Sequence, residues 1–330
     1  MGGLSHERGI VVANDGQGIS QVSLDSLISE TRIVPTFSPR DPALVSQLPG
    51  LGVEPLERPS LVQRIGYSLL NPPKNRIVPS PWLRALMRRS GSALIAESFV
   101  SPGGWRSMEI LYRNPQPLDW LDRQALRDNP ITMAARNRRK IVIDRLADLI
   151  RQHPADEPMS LLGIGAGPGR HLQTAMLESG RSKDLLTAYL VDLADDAFPY
   201  GQALAKSLGL DDRVHFLRGD ARNIGQTLPQ TQIHLAKLVG IIEYLTDEQL
   251  AELLTAVHGI LAPGGHLLTH GLVDRYKTGR FLARVFNLRH HQRDERALEK
   301  SLTAAGFRIV SCEYEPVRIH PIVTAVRVGV

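Results

Sequence analysis

Two kinds of residue here have types and spacing that could do chemistry: a run of glycines behind an apolar stretch, and single carboxylates ending later apolar stretches. The run is Gly163-Ile164-Gly165-Ala166-Gly167-Pro168-Gly169-Arg170. Glycine takes positive φ without strain and carries no Cβ, so Gly165 and Gly167 permit a tight turn and close approach of the backbone to a ligand. By itself the run also fits a plain strand-to-helix turn. Asp192 gives it context, ending Tyr189-Leu190-Val191-Asp192 twenty-three residues beyond Gly169. A carboxylate at a strand tip is placed to accept both hydroxyls of a ribose. A third apolar stretch runs into Arg218-Gly219-Asp220-Ala221, where an acid can meet an adenine amino group. A fourth ends in Val239-Gly240-Ile241-Ile242-Glu243-Tyr244-Leu245, and Leu261-Ala262-Pro263-Gly264-Gly265 forms a turn into a fifth.

Positioning these residues requires strands that alternate with helices. Strands are expected near Ser160–Gly165, Leu186–Asp192, Val214–Arg218, Ile233–Gly240, Gly265–Gly271, Phe307–Tyr314 and Ile322–Val328. Helices are expected near Arg170–Ser179, Asp196–Ser207, Asp247–Leu261 and Asp294–Ala305. This is the βαβ texture of an α/β, doubly wound sheet of seven strands. The last two strands have no helix between them and should close one edge as an antiparallel hairpin.

The N-terminal half reads differently. Residues 1–57 are rich in Gly, Ser, Asp and Pro and are expected to be a loosely structured arm. Residues 58–150 form a helical region suited to covering a site, and 151–330 the sheet domain. Within 58–150, short helical patterns are expected to break at Pro72-Pro73, Pro79, Pro81 and Pro102. Trp105–Tyr112 fits a strand or a helix start. Asn129-Pro130 opens a strong amphipathic helix with Arg136, Arg138, Arg139 and Lys140 crowding one stretch.

The chain has 330 residues, 42% apolar, which is globular composition. No uninterrupted apolar window of eighteen residues occurs, so no membrane span is expected, nor is a secretory signal visible at the start. One cysteine, Cys312, excludes an internal disulfide framework and favours a reducing, cytoplasmic setting. The net charge is +5, but Arg58 to Arg145 holds sixteen Lys/Arg against six Asp/Glu. That imbalance fits a solvated arginine-rich surface, or a face for an anionic substrate, an acidic carrier protein or nucleic acid. Nucleic acid is the least expected, since aromatic residues are only 5% of the chain and form no stacking array.

The ordered set GIGAGPG, YLVD, RGDAR, VGIIEYL and LAPGGHLL resembles the motif series of class I, Rossmann-like S-adenosylmethionine (SAM) dependent methyltransferases, across residues 155–330. The resemblance implies a SAM-dependent transferase acting on a small molecule, in a setting of secondary metabolism, with SAM as donor and no metal. It implies that Gly165, Gly167 and Gly169 pass close to the methionine moiety of SAM. Asp192, with Leu193 after it, would bind the ribose, Asp220 and Ala221 the adenine, and Val239 and Gly240 the pocket floor. One position departs from the pattern: Gly163 stands where these enzymes usually carry an acid that helps hold the SAM amino group.

Gly103 to Asn114, with Asn129 to Arg139, is similar to the leader of a poorly characterised bacterial methyltransferase group. The layout of a class I domain behind a helical lid also resembles SAM cyclases that form azetidine-2-carboxylate. Methyl transfer needs an acceptor held in line with the methyl group, and sometimes a base. The catalytic candidates are Tyr112, Asn137 and Tyr244, with Glu243, His270 and Asn114 as further groups. Tyr244 could equally pack under the fourth helix, and His270 could be a hydrogen-bonded loop residue. Asn137 could simply cap or solvate a helix. Arg170 could bind a carboxylate of substrate or SAM, or merely lie at a helix start. His290-His291 is rejected as a metal pair, because adjacent helical side chains diverge.

Overall fold

A computed structural model of the protein describes residues 55–228 and 232–328. All but the last three residues of the expected arm 1–57 therefore lie outside the described residues. Residues 55–328 begin with six helices: α1 (Leu61–Ile77), α2 (Ser80–Arg88), α3 (Ala93–Val100), α4 (Trp105–Arg113), α5 (Trp120–Leu126) and α6 (Pro130–Gln152). Trp105–Tyr112 is thus helix, not strand. Ser60 and Gln63 form a reciprocal cap that starts α1. The break expected at Pro72-Pro73 does not occur, and α1 runs through both prolines. The carbonyls that two prolines leave without donors, four residues back, belong to Ser68 and Leu69, which are exposed to water. The end of α1 is also tied down from outside, since Asn75 Nδ2 donates to the Lys277 carbonyl at 2.8 Å.

The sheet half follows as β1 (Met159–Ile164), α7 (Arg170–Glu178), β2 (Leu186–Asp192), α8 (Phe198–Ser207), β3 (Val214–Arg218), β4 (Ile233–Leu238), α9 (Asp247–Ile260), β5 (Leu261–His270), α10 (Gly279–Phe286), α11 (Glu295–Ala304), β6 (Phe307–Tyr314) and β7 (Pro321–Arg327). The strand order is β3-β2-β1-β4-β5-β7-β6. β1 to β5 pair in parallel, and β7 runs antiparallel to both β5 and β6. This is the seven-stranded α/β architecture with its closing hairpin. Helix α10 and the single-turn helix Ile224–Thr227 after β3 are the helices that the sequence pattern did not bring out.

Apolar packing on the two faces of the sheet decides what belongs to it. On one face Leu172 and Met176 of α7 meet Leu161, Leu190 and Leu235, joined by Leu146 and Ile150 of α6. On the other, Leu250, Leu254 and Leu302 cover Leu162, Ile164 and Ala236. The boundary expected at 150 therefore falls at the end of a helix that shares the sheet's own core, and all the described residues lie in one compact unit.

The arginine run of α6 is not a solvated surface. Arg136, Arg138 and Arg139 are 2%, 4% and 6% exposed. Arg136 Nε donates to Glu57 Oε1 at 2.7 Å and its Nη2 to Glu57 Oε2 at 2.6 Å. A charge can be buried when a partner and hydrogen bonds replace its water. Glu57, assigned to the arm, is in fact fixed to α6 by this pair.

The helical half is locked to the sheet half by a second buried pair. Arg170, first residue of α7, donates through Nε to Glu109 Oε1 of α4 at 2.8 Å and through Nη2 to the other carboxylate oxygen. Tyr200 of α8 donates to Glu109 Oε2 at 2.9 Å. Removing one partner of such a pair strands a charge in the interior at a cost of about 3–5 kcal/mol. Glu109→Ala should therefore lower the unfolding midpoint by on the order of 10 °C in a thermal melt. A melt unchanged from wild type would show that this pair does not hold the halves together.

Candidate active site

The glycine run forms the turn from β1 into α7. Gly165, Gly167 and Gly169 have φ of +57°, +52° and +73°, a region that residues with a Cβ avoid. A Cβ at Gly165 would collide with Ile241, and one at Gly169 with Leu190. The turn is packed from below, so the free side of its backbone faces the carboxyl ends of β1 and β4. Asp192, at the tip of β2, accepts a hydrogen bond from Gly167 N at 2.8 Å through Oδ2 and from Ala194 N at 3.2 Å through Oδ1. Each carboxylate oxygen keeps a lone pair for a ligand. These are the features a SAM ribose and its neighbouring chain require, and the residues present fit the group.

Above this turn lies a cleft of about 340 Å³, within the size range of small-molecule sites. Gly165, Ala166, Gly167, Asp192, Val239 and Gly240 line it, together with Tyr112 and Tyr244. Its cover is α4. Trp105 sits 3.4 Å from where a Gly167 Cβ would be, and its Nε1 donates to Asp196 at 2.9 Å. The residues implicated by sequence are thus only partly gathered here. Arg170 reaches the cleft wall, but its guanidinium is taken up by Glu109 and Tyr200, so it secures the cover instead of binding a carboxylate. Leu193 is exposed and does not line the cleft. Asp220 and Ala221 also lie outside the lining, with the Asp220 carboxylate capping Arg222 N at 2.9 Å and pairing with the Arg222 guanidinium.

Asn137 is corrected more sharply. It is fully buried on the far side of α6, where its amide donates to the Glu57 carbonyl and accepts from Glu57 N, both at 2.8 Å. It anchors chain and does not face the cleft. Asn114 ends α4 in a left-handed conformation and is likewise outside the lining.

His270 cannot serve as a base. It is fully buried; Gly240 N donates to its Nε2 at 3.0 Å, and Nδ1 lies 2.8 Å from the Gly271 carbonyl. Those partners fix the neutral tautomer with its proton on Nδ1, and burial, then Arg138, holds the ring below the usual imidazole range. It positions Gly240 instead. Tyr244 follows Glu243, whose carboxylate lies 3.5 Å from Arg138. Its hydroxyl meets the backbone of Gly103, where a Cβ would collide with it. Burial, and then Glu243, push that phenol up, so it stays protonated and can only donate or accept hydrogen bonds. Tyr112 hydrogen-bonds Arg138, and the Arg139 guanidinium lies 5.4 Å from its ring centroid.

Among the lining residues that the sequence pattern did not single out are His171 and Lys237. His171, second residue of α7, has no hydrogen-bond partner on Nε2 among the described residues. Burial and then Lys237 and the arginines around it hold this ring well below its usual range, so it is neutral. Lys237 is 4% exposed, one residue before the carboxyl end of β4. A lone lysine between Ala236 and Leu238, in a strand whose other residues apart from His234 are apolar, was the available signal. His290 and His291 hold no metal position: the His290 ring packs against Tyr244, and His291 N donates to the Glu243 carbonyl. Among the described residues, no three His, Cys, Asp or Glu side chains are grouped to hold a metal ion.

Residues 161–265 match the family model described as a methyltransferase domain. Those residues carry a methyltransferase domain, set in the seven-stranded α/β fold described above. No curated protein matches the sequence significantly. Among solved structures, a possible exported protein from Bordetella parapertussis is similar with a TM-score of 0.59 at 18% identity, over 82% of this chain and 99% of that one. Magnesium protoporphyrin IX methyltransferase from Synechocystis, solved with S-adenosylhomocysteine bound, is similar with a TM-score of 0.50 at 13% identity, over 71% of this chain and 98% of that one. At these identities the likeness is one of fold. It extends beyond the matched domain into the helical half.

The geometry separates Asp192, expected to bind the ribose, from Asn137, expected among the catalytic groups. Asp192→Ala should weaken SAM binding roughly 10- to 100-fold in calorimetric titration, because charge-assisted hydrogen bonds to the ribose are lost. Unchanged affinity in a folded variant would remove Asp192 from the ribose. Asn137→Ala should leave SAM affinity intact and cost about 1–3 kcal/mol of stability, since it removes a buried amide that pairs with both backbone groups of Glu57. A loss of affinity without a loss of stability would restore Asn137 to the site.

Proposed function

We propose that this protein transfers the methyl group of SAM to a small-molecule acceptor. The observation that carries this reading is the Asp192 carboxylate, bonded to the turn of Gly165 to Gly169 at the mouth of a covered cleft. In the reaction a lone pair of the acceptor attacks the methyl carbon, the methyl–sulfur bond breaks, and its electrons stay on sulfur as S-adenosylhomocysteine forms. The acceptor's proton leaves to solvent or to a lining group. The protein's share is to hold the two reactants in line and to exclude water, the work of α4 and of the Tyr112–Arg138–Glu243 cluster beneath it.

A small acceptor fits better than an acidic carrier protein or nucleic acid. The cations that suggested an anionic macromolecule include Arg136, Arg138 and Arg139, and these are buried and paired inside. No described helix is long and apolar enough to cross a membrane. The single cysteine, exposed and free, suits a reducing cytoplasmic compartment.

One observation favours a second reading. A side chain at Gly163 would press on Leu190 at 2.9 Å and Leu172 at 3.1 Å, so there is no space at that position for an acid that would hold the SAM amine. A free amine could attack the γ-carbon of its own chain, breaking the carbon–sulfur bond, closing a four-membered ring and releasing methylthioadenosine and a proton.

Incubation with SAM alone, and with mixed small nucleophiles, followed by mass analysis, discriminates these. Methyl transfer predicts S-adenosylhomocysteine and an acceptor heavier by one methyl, formed only when the nucleophiles are present. Methylthioadenosine together with the cyclic amino acid azetidine-2-carboxylate, formed from SAM alone, would replace that reading with cyclisation.

A further inference from the structure

Most charged groups of the cleft come in pairs. Arg170 is held by Glu109, Arg138 lies against Glu243, and Arg106 is 3.2 Å from Asp196. Lys237 is a cation of the cleft without such a partner among the described residues. It is almost fully buried, yet the one hydrogen bond of its ammonium is to the carbonyl of Val239, two residues along, at 2.9 Å. No carboxylate pairs with it among the described residues. The neighbouring strand position, in register with Lys237 on the same face, is Gly163, which contributes no side chain at all. An ammonium has three donors, so two remain for something that is not protein. A buried cation without a counter-charge is costly unless an anion arrives to meet it.

The order of the strands says where on a ligand that anion would be. β1 lies between β2 and β4. Asp192 ends β2 and Lys237 lies on β4, two strand spacings apart, about 10 Å across the sheet. Asp192 and Lys237 both line the one cleft, on opposite sides of the glycine turn. A SAM molecule with its ribose at Asp192 lays its amino-acid end across β1 toward β4. The one anionic group at that end is the α-carboxylate.

Resting on the SAM reading of this cleft, we infer that Lys237 is a binding residue for the carboxylate of SAM, so that the methionine end is recognised from the floor of the sheet by its negative group. Lys237 then selects for intact SAM over adenosyl compounds that lack the carboxylate. The groups around it support the same role. Arg138 from α6 and neutral His171 from α7 supply no negative charge, while Asp192 and Glu243 act on it only at a distance. Burial, and then Arg138, push the Lys237 ammonium down to about 8. An anion beside it would relieve both effects.

The test uses the full chain, wild type and Lys237→Met, titrated calorimetrically with SAM, decarboxylated SAM and methylthioadenosine. Methionine has a similar length without the charge, so the variant should fold, and a thermal melt at or above the wild-type midpoint checks this. Wild type should prefer SAM over decarboxylated SAM by roughly 10- to 100-fold. Lys237→Met should lose that preference by weakening SAM alone, with methylthioadenosine affinity unchanged. Above about pH 8 wild-type SAM affinity should fall as Lys237 loses its proton. The SAM α-amine titrates in the same range, so the effect is read as the difference from Lys237→Met at each pH. Equal affinity of wild type for SAM and decarboxylated SAM overturns the inference without recourse to any variant. A variant that keeps the wild-type preference overturns it too, and points to the carboxylate lying elsewhere. Failure of wild type to bind both SAM and methylthioadenosine would bring down the SAM reading itself, and this inference with it.

Discussion

Burying the guanidinium of Arg170 constrains everything around the cleft. Arg170 is the first residue after the glycine turn, where its own helix N-terminus, with unsatisfied N–H groups, disfavours a cation. It can be accommodated there only because Glu109 reaches it from α4, and Tyr200 joins them from α8. The pair raises the Arg170 pKa against the opposing effect of burial, so both groups stay charged. Because the partner comes from the helical half, the turn that would cradle a ligand is supported only when α4 lies over it. The cover is therefore part of the site's foundation, and the two halves form one unit despite their different sequence textures.

The parts of this arrangement that local pattern can express were legible from sequence. Strands β2, β3 and β6 begin and end where their apolar runs do, and the turn of Gly165, Gly167 and Gly169 takes the positive φ that three closely spaced glycines suggest. Asp192 lies at its strand tip and meets the turn as its position implied. What could not be read is the destination of long charged side chains. Arg136, Arg138 and Arg139 look in sequence like any basic helical face, and only their distant partners Glu57, Glu243 and Tyr112 reveal that they are interior. Sequence spacing holds no information on a contact eighty residues away, such as that between Glu57 and Asn137.

The same limit explains the errors over individual residues. Asn137 sits among arginines in a helix expected to cover the site, yet helical rotation turns it to Glu57 and away from the cleft. His270 stands at the end of β5, a usual address for a reactive group, but backbone groups occupy both its nitrogens. Lys237 was passed over for the opposite reason. Its apolar neighbours define the strand so clearly that the single charge within it drew no attention, although a charge in a strand covered on both faces must answer to some partner.

The cover is held with different strength along its length. At the N-terminal turn of α4, Trp105 and Arg106 reach Asp196 through contacts open to water, with Arg106 and Asp196 side chains 33% and 48% exposed. Such surface pairs contribute about 0–1 kcal/mol. One helical turn further on, Glu109 is buried against Arg170, an interaction far harder to break. Gly103 and Gly104 immediately before α4 offer a flexible approach, with Gly103 already at φ +71° beneath the Tyr244 hydroxyl. The contacts beside the glycine turn are thus the water-exposed ones, while the charges that hold α4 to the sheet half are buried one turn away, so the cover of the site and the stability of the fold draw on separate interactions.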